Sequence, residues 1–233
     1  MLDMTVDLLK EMEKDLLVKI EKILNHPVIT KIHNGELTKE QLRLFAIQYS
    51  IYCGYFPRFL CACAANIPDD NTRMAIIENL WEEHGSGNLI GSHRVLFEKF
   101  ATAVGASAED LRNAKPIPST LINVEYLLNM CQDDSFIKSL GALGPGTEFF
   151  TSREYELIYR GLQKVEGLTE SDLEFWSIHI SLDDHHYSDM LNAVKTWLDS
   201  EETIDLFREG AERAIDLELL FWNGLEEHLF GIS

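Results

Sequence analysis

In the stretch Ser177-Ile-His179-Ile-Ser-Leu-Asp183-Asp-His-His186-Tyr187, imidazole and carboxylate recur at steps of four and three residues. On a helix this spacing puts the ligand-type side chains of His179, Asp183 and His186 on one face. Such a stripe is what a helix must present to hold a transition metal. A solvated face is the competing account, and Asp184 and His185, one residue out of phase, belong to it. His179 fits it poorly, because Phe175, Trp176, Ile178, Ile180 and Leu182 surround it and imply partial burial. His179 and His186 would lie about 10.5 Å apart along a helix axis, which suits two adjacent metals better than one.

A metal needs ligands from more than one helix, and two further segments set acids and histidines beside glycines and aromatics. The first runs from Glu78 through Glu82, Glu83 and His84 to His93. On a continuous helix Glu83 and His93 would be about 15 Å apart, too far to share an ion with bonds of about 2 Å. The helix must therefore break, and Gly85, Gly87 and Gly91 permit it. An ordinary turn with solvated ends would use the same glycines. The second segment is Leu143-Gly-Pro-Gly-Thr-Glu148-Phe-Phe, where Gly144-Pro-Gly146 is expected to start a helix. An acid beside Phe149 and Phe150 is costly to bury alone, and a metal would compensate it. An exposed first-turn glutamate is the alternative.

The elements that must position these residues read as all-α, since no stretch alternates strictly enough to prefer a strand. About seven helices are expected, in a single domain over residues 1–233. Thr38-Lys-Glu-Gln41 is a capping box opening a long apolar segment through about Asn66, and Thr169-Glu-Ser-Asp172 is a similar start before the histidine stripe. Pro68-Asp-Asp, Gly105-Ala-Ser, Lys115-Pro-Ile-Pro118 and Glu166-Gly-Leu-Thr169 mark breaks. Pro57 should kink the long segment, and a kinked helix can line a cavity.

Composition narrows the function classes. With 45% hydrophobic residues over 233 positions, the chain can bury a substantial core. Its formal net charge of -19 argues against nucleic acid or an anionic membrane as partner, since both attract basic surfaces. Residues 1–24 read as an amphipathic helix and not a signal sequence, and no apolar run is long enough to cross a bilayer. The four cysteines show no paired zinc spacing. A reduced cytoplasm is the expected location.

Asn79-Leu-Trp-Glu-Glu83 with Gly85-x-Gly87 and His93, Leu143-Gly-Pro-Gly-Thr-Glu148, and His179-x-x-x-Asp183-x-x-His186 together resemble the haem-oxygenase-like di-iron oxidases, relatives of the TenA and PqqC proteins. The likeness runs from about Asn25 to the C-terminus. It includes Gly35-Glu-Leu-Thr-Lys-Glu-Gln41 and Phe56-Pro-Arg-Phe59, as in the chlamydial protein associating with death domains. The resemblance implies a haem-oxygenase-like helical bundle with two iron ions cycling between Fe(II) and Fe(III). Dioxygen would be the co-substrate, with an external reductant where the reaction needs one, and the substrate a small, amino-acid-derived molecule. It implies Glu83 as a bridging ligand, with His93, Glu148 and His186 completing one site and His179 and Asp183 the other.

Two departures from the family pattern bear on these expectations. Some N-oxygenating members carry an additional carboxylate on the early core helix, whereas residues 41–68 here contain no Asp or Glu. The second iron should therefore be weakly held. The p-aminobenzoate-forming members resembling the chlamydial protein use a sacrificial Tyr and a Lys, and the matching positions here are Ile29 and Ile158. The expected reaction is oxidation of a separate molecule by N-oxygenation, desaturation or carbon–carbon cleavage. Arg58 and Arg153 are candidate grips for a substrate carboxylate, because arginine can hold one with two hydrogen bonds. Tyr52 is placed with them at the substrate. Alternatives are a p-aminobenzoate-synthase-like protein, a metal-free TenA-like hydrolase with Cys131 as nucleophile, and a non-enzymatic interaction protein. The amphipathic stretch Leu217 to Phe230 could support a homodimer, though a core stripe looks the same.

Overall fold

The computed structural model describes residues 2–132 and 135–231, with the side chains of residues 8–132, 135–180 and 185–231. Among them are eleven α-helices and no strand, so the all-α expectation holds while the count of about seven does not. The helices are α1 (Leu2–Leu24), α2 (Pro27–Asn34), α3 (Lys39–Asn66), α4 (Asp70–Glu83), α5 (His93–Ala103), α6 (Ala108–Arg112), α7 (Pro118–Gln132), α8 (Phe136–Leu143), α9 (Phe149–Leu162), α10 (Glu174–Val194) and α11 (Glu201–Phe230). The undercount has a physical cause. With eight, five and eight residues, α2, α6 and α8 are too short for a 3.6-residue period to declare itself. No described helix is long and apolar enough to cross a membrane.

The long α3 begins where its capping box predicts. The Thr38 N–H donates to Gln41 Oε1 at 2.9 Å and the Gln41 N–H to Thr38 Oγ1 at 3.2 Å, which satisfies two orphan donors of the first turn. Pro57 sits inside α3 and leaves the Cys53 carbonyl without its usual helical donor. The second cap differs from expectation. Thr169 and Asp172 do bond each other's backbone, but they form a turn, and α10 starts two residues later at Glu174.

The core is aromatic. Phe45 of α3 lies between Trp176 of α10 and Trp222 of α11, with ring centroids 6.1 Å away in both pairs, and Phe100 of α5 meets Trp176 edge-on at 5.4 Å. Ring pairs of this kind add about 0.5–1.5 kcal/mol each beyond area burial. They lock α3, α5, α10 and α11 together beside the histidine stripe. The apolar side of α11, including Phe221, Trp222 and Leu225, is spent in this core. Between α8 and α11 the backbones touch: a Cβ on Gly141 would fall 2.0 Å from the Phe207 carbonyl oxygen, and one on Gly210 2.0 Å from that of Lys138.

Candidate metal centre

Three of the singled-out side chains converge. Glu83 ends α4, His93 opens α5 and His179 lies on α10; all three are buried, with one ligand atom from each lying within 4.8 Å of the others. The turn between α4 and α5 brings the first two together. Its residues Gly85, Ser86 and Gly87 have φ of 71°, 51° and 92°, and a Cβ on Gly85 would sit 2.2 Å from the Asn88 carbonyl oxygen. Only glycine fits there. The reversal leaves His93 Nδ1 2.7 Å from Glu83 Oε1.

His179 is oriented by its own helix. Its Nδ1 lies 2.6 Å from the Phe175 carbonyl oxygen, which can only accept, so Nδ1 carries a proton and Nε2 is the nitrogen that faces Glu83. That Nε2 is 3.9 Å from Glu83 Oε1, and the rings of His93 and His179 are 4.3 Å apart. Burial alone would raise the Glu83 carboxyl, but the imidazoles of His179 and His93 outweigh it and hold the group at about 2. Glu83 is therefore an anion in the interior, the state in which a carboxylate ligates.

A second pair is formed by Glu148 and His186. Glu148 is 3% exposed, which disposes of the solvated first-turn reading. Gly144–Glu148 does not start a helix as expected; it forms one π-helical turn joining α8 to α9. Widened turns of this kind recur where a helix must re-aim a side chain. Glu148 Oε1 accepts from Asn79 Nδ2 at 2.9 Å, and Oε2 is 3.7 Å from His186 Nδ1. The other nitrogen of His186, Nε2, is 2.8 Å from Glu82 Oε2. Burial pushes this imidazole down, yet Glu148 and then Glu82 carry it up to about 9.

This geometry regroups the expected ligand sets. His93 keeps company with His179 and Glu83, and His186 with Glu148, whereas the resemblance had put His93 with His186. The helix-breaking turn carries His93 to the His179 side of the stripe. Asp183 lies on α10 one turn from His179, and its side chain is outside the described residues.

The cavity beside these groups is narrow and is walled on the α3 side by Tyr49, Tyr52, Cys53 and Phe56, in the two turns before Pro57. Tyr52, a candidate at the substrate, is part of that wall. Arg58 and Arg153 do not line the cavity. Arg58 is exposed and lies over the Tyr55 ring at 4.4 Å, while Arg153 pairs with Glu21 at 2.7 Å on the surface. An arginine on the outward side of a helix answers to solvent and neighbouring acids, as these two do. Cys131 is fully buried away from the cavity lining, with its thiol pushed up to about 12 by burial, which leaves little thiolate for a hydrolase of the TenA type.

Sequence reasoning missed four contributors. Asn79 precedes Glu83 by one helical turn, a spacing that could have marked it. Glu82 sits next to a chosen ligand and was passed over as its neighbour. Glu154 and Glu218 line the cavity too, each with another acid two residues away, Glu156 and Asp216.

The donor set fits a metal by its own chemistry: buried imidazoles and an ionised carboxylate converge, and a carbonyl holds the outer nitrogen of His179. Comparison with known proteins identifies the family. A family of iron-containing redox enzymes matches residues 43–219, most of the chain, and the protein belongs to that family. The 4-aminobenzoate synthase of Nitrosomonas europaea is 29% identical over 228 residues, covering 92% of this chain and 89% of the relative. The 4-chloro-allylglycine synthase of Streptantibioticus cattleyicolor is 26% identical over 208 residues, covering 89% and 79%. Among solved structures, a CADD-like protein of Nostoc punctiforme superposes with a TM-score of 0.80 at 21% identity, covering 97% of this chain and 98% of that one. A TenA homologue of Pseudomonas syringae gives 0.81 at 14% identity, covering 94% and 92%. These structures establish the fold, the haem-oxygenase-like helical bundle.

Proposed function

We propose that the protein holds two iron ions, one with Glu83, His93 and His179 and one with Glu148, Asp183 and His186, and uses dioxygen to oxidise a small amino-acid-derived substrate in the adjoining cavity. The observation that carries this reading is the convergence of Glu83, His93 and His179 on a cavity that Glu148 also lines. Two ferrous ions bound there would supply electrons and coordination positions for dioxygen, chemistry that no side chain performs alone.

The chain's own residues do the rest. The Phe175 carbonyl fixes the tautomer of His179, and the Glu82 carboxylate accepts a hydrogen bond from the Nε2–H of His186, leaving Nδ1 directed at Glu148. Asn79 holds Glu148 by one oxygen. Tyr49, Tyr155, Phe56 and Phe175 wall the cavity and keep water from the reacting centre. Residues 41–68 offer no carboxylate, so α3 contributes aromatic wall instead of a further ligand, and the second ion is held more weakly.

Two of the relatives named above are synthases, and we assign this chain a separate substrate molecule. Ile29 and Ile158, at the positions of the sacrificial Tyr and Lys, are fully buried aliphatic residues with no oxidisable group. The test is exposure of Fe(II)-loaded protein to oxygen with candidate amino acids, following oxygen uptake and the intact mass of the chain. Iron-dependent uptake that Glu83→Ala abolishes, with the polypeptide mass unchanged over several turnovers, is the expected result. Uptake without iron, or loss of mass from the chain in step with turnover, contradicts the assignment.

A further inference from the structure

Two carboxyl groups of the cavity have no part in the metal assignment. Glu154 of α9, 1% exposed, and Glu218 of α11 both line it, and they hydrogen-bond to each other. The indole N–H of Trp222 reaches Glu218 Oε1 at 3.4 Å. Two carboxyls in mutual hydrogen bonding share a proton, because two ionised oxygens at contact repel. Consistent with this, burial outweighs the hydrogen bonds from Glu154 and Trp222 and pushes Glu218 up to about 7. The pair thus carries about one negative charge near neutral pH.

The remaining lining matches a cation. Tyr49, Tyr52, Tyr155 and Phe175 present aromatic rings, whose faces attract positive charge. Among the described residues that line the cavity there is no lysine or arginine with which to grip a carboxylate. Arg58 and Arg153, the two that sequence spacing suggested for that task, are occupied elsewhere. A basic end of a substrate therefore finds carboxyl acceptors and aromatic faces here.

We propose that the substrate is a primary amine whose ammonium group binds at Glu154 and Glu218, and that these two residues set a preference for amines over neutral analogues. The proposal rests on the cavity being the iron-dependent active site. It makes Glu154 and Glu218 recognition residues, separate from the iron ligands. An ammonium donates up to three hydrogen bonds, and a singly charged carboxyl pair accepts them without a net buried charge.

Benzylamine and benzyl alcohol share a ring and a methylene and differ only in the group to be recognised. Each is titrated by calorimetry into the Fe(II)-loaded protein without oxygen and into the metal-free protein, with iron content measured in every sample. Benzylamine is expected to bind the loaded protein at least about tenfold more tightly, a difference of about 1.4 kcal/mol. Glu154→Gln and Glu218→Gln preserve side-chain size and remove the charge; each is expected to erase that preference while iron content and helical circular dichroism match the parent. Equal binding of the two ligands by the parent overturns the proposal, and so does a preference that survives in both variants, which would trace to amine ligation of iron. If a glutamine variant fails to fold, the parent's two-ligand comparison on the metal-free protein decides alone, since no iron is there to ligate the amine. A parent that takes up no iron contradicts the proposed function instead, and the amine preference is then judged on the metal-free protein.

Discussion

A buried imidazole makes a dependable ligand only when its second nitrogen is held, and His179 and His186 each have such a hold, in the Phe175 carbonyl and the Glu82 carboxylate. The same contacts set the behaviour of the metal-free protein with pH. His186, carried up to about 9 from an ordinary value of 6.5, stabilises the fold fully below pH 6.5 and loses that contribution as pH rises through about 9. Glu83, held at about 2, contributes above its ordinary value of 4.5 and loses its contribution as pH falls toward 2. Thermal melts of metal-free protein should therefore fall between about pH 6.5 and pH 10, and His186→Gln should flatten that fall. An equal fall in the variant would assign it to other groups. Asn79 acts at one remove, through Glu148. Asn79→Ala should weaken iron at the Glu148–His186 pair by roughly 10–100-fold and leave the ion at Glu83, His93 and His179 in place; unchanged binding in a competitive chelator titration would deny Asn79 that role. The ligand residues were legible because their types are chemical and their spacing helical. Glu82, Glu154 and Glu218 were not, because an acid in a helix has no spacing signature until a partner from another helix meets it.

Positioning falls to two irregular elements, the turn between α4 and α5 and the π-helical turn before α9. Gly85 is the least replaceable residue of the first: its φ of 71° is left-handed and its Cβ would meet Asn88, Gly91 and Ser92 at once. Gly85→Ala should cost about 2 kcal/mol or more in stability and pull Glu83 away from His93. A melting midpoint and iron affinity equal to the parent's would show that the turn can relax and does not set the site. The glycines told of a break before any coordinates, since a straight helix cannot bring Glu83 to His93. The π-helical turn was hidden, because Gly144-Pro-Gly146 reads equally well as a helix start. What distinguishes the two is tertiary: Gly146 lies against α11, where a Cβ would come 2.7 Å from that of Ala214. The short helices stayed illegible for lack of turns.

At the scale of the molecule, the helical class, the long capped α3 and the burial of α11 followed from apolar periodicity, which reports one face at a time. The partition of the ligands into two groups did not, because it depends on how α4, α5, α9 and α10 are set against one another by the aromatic core. Phe45, Phe100, Trp176 and Trp222 fix that arrangement beside the histidines, so the site inherits its rigidity from the part of the protein that does no chemistry. The acidic balance of -19 adds no ligand by itself; what matters is which few carboxylates are buried. The most direct test of the whole account is the anomalous diffraction of crystals of the protein loaded anaerobically with Fe(II), recorded at the iron absorption edge. Two peaks of unequal height are expected, one among Glu83, His93 and His179 and one beside Glu148 and His186; iron bound elsewhere, or none at Glu83, His93 and His179, would contradict it.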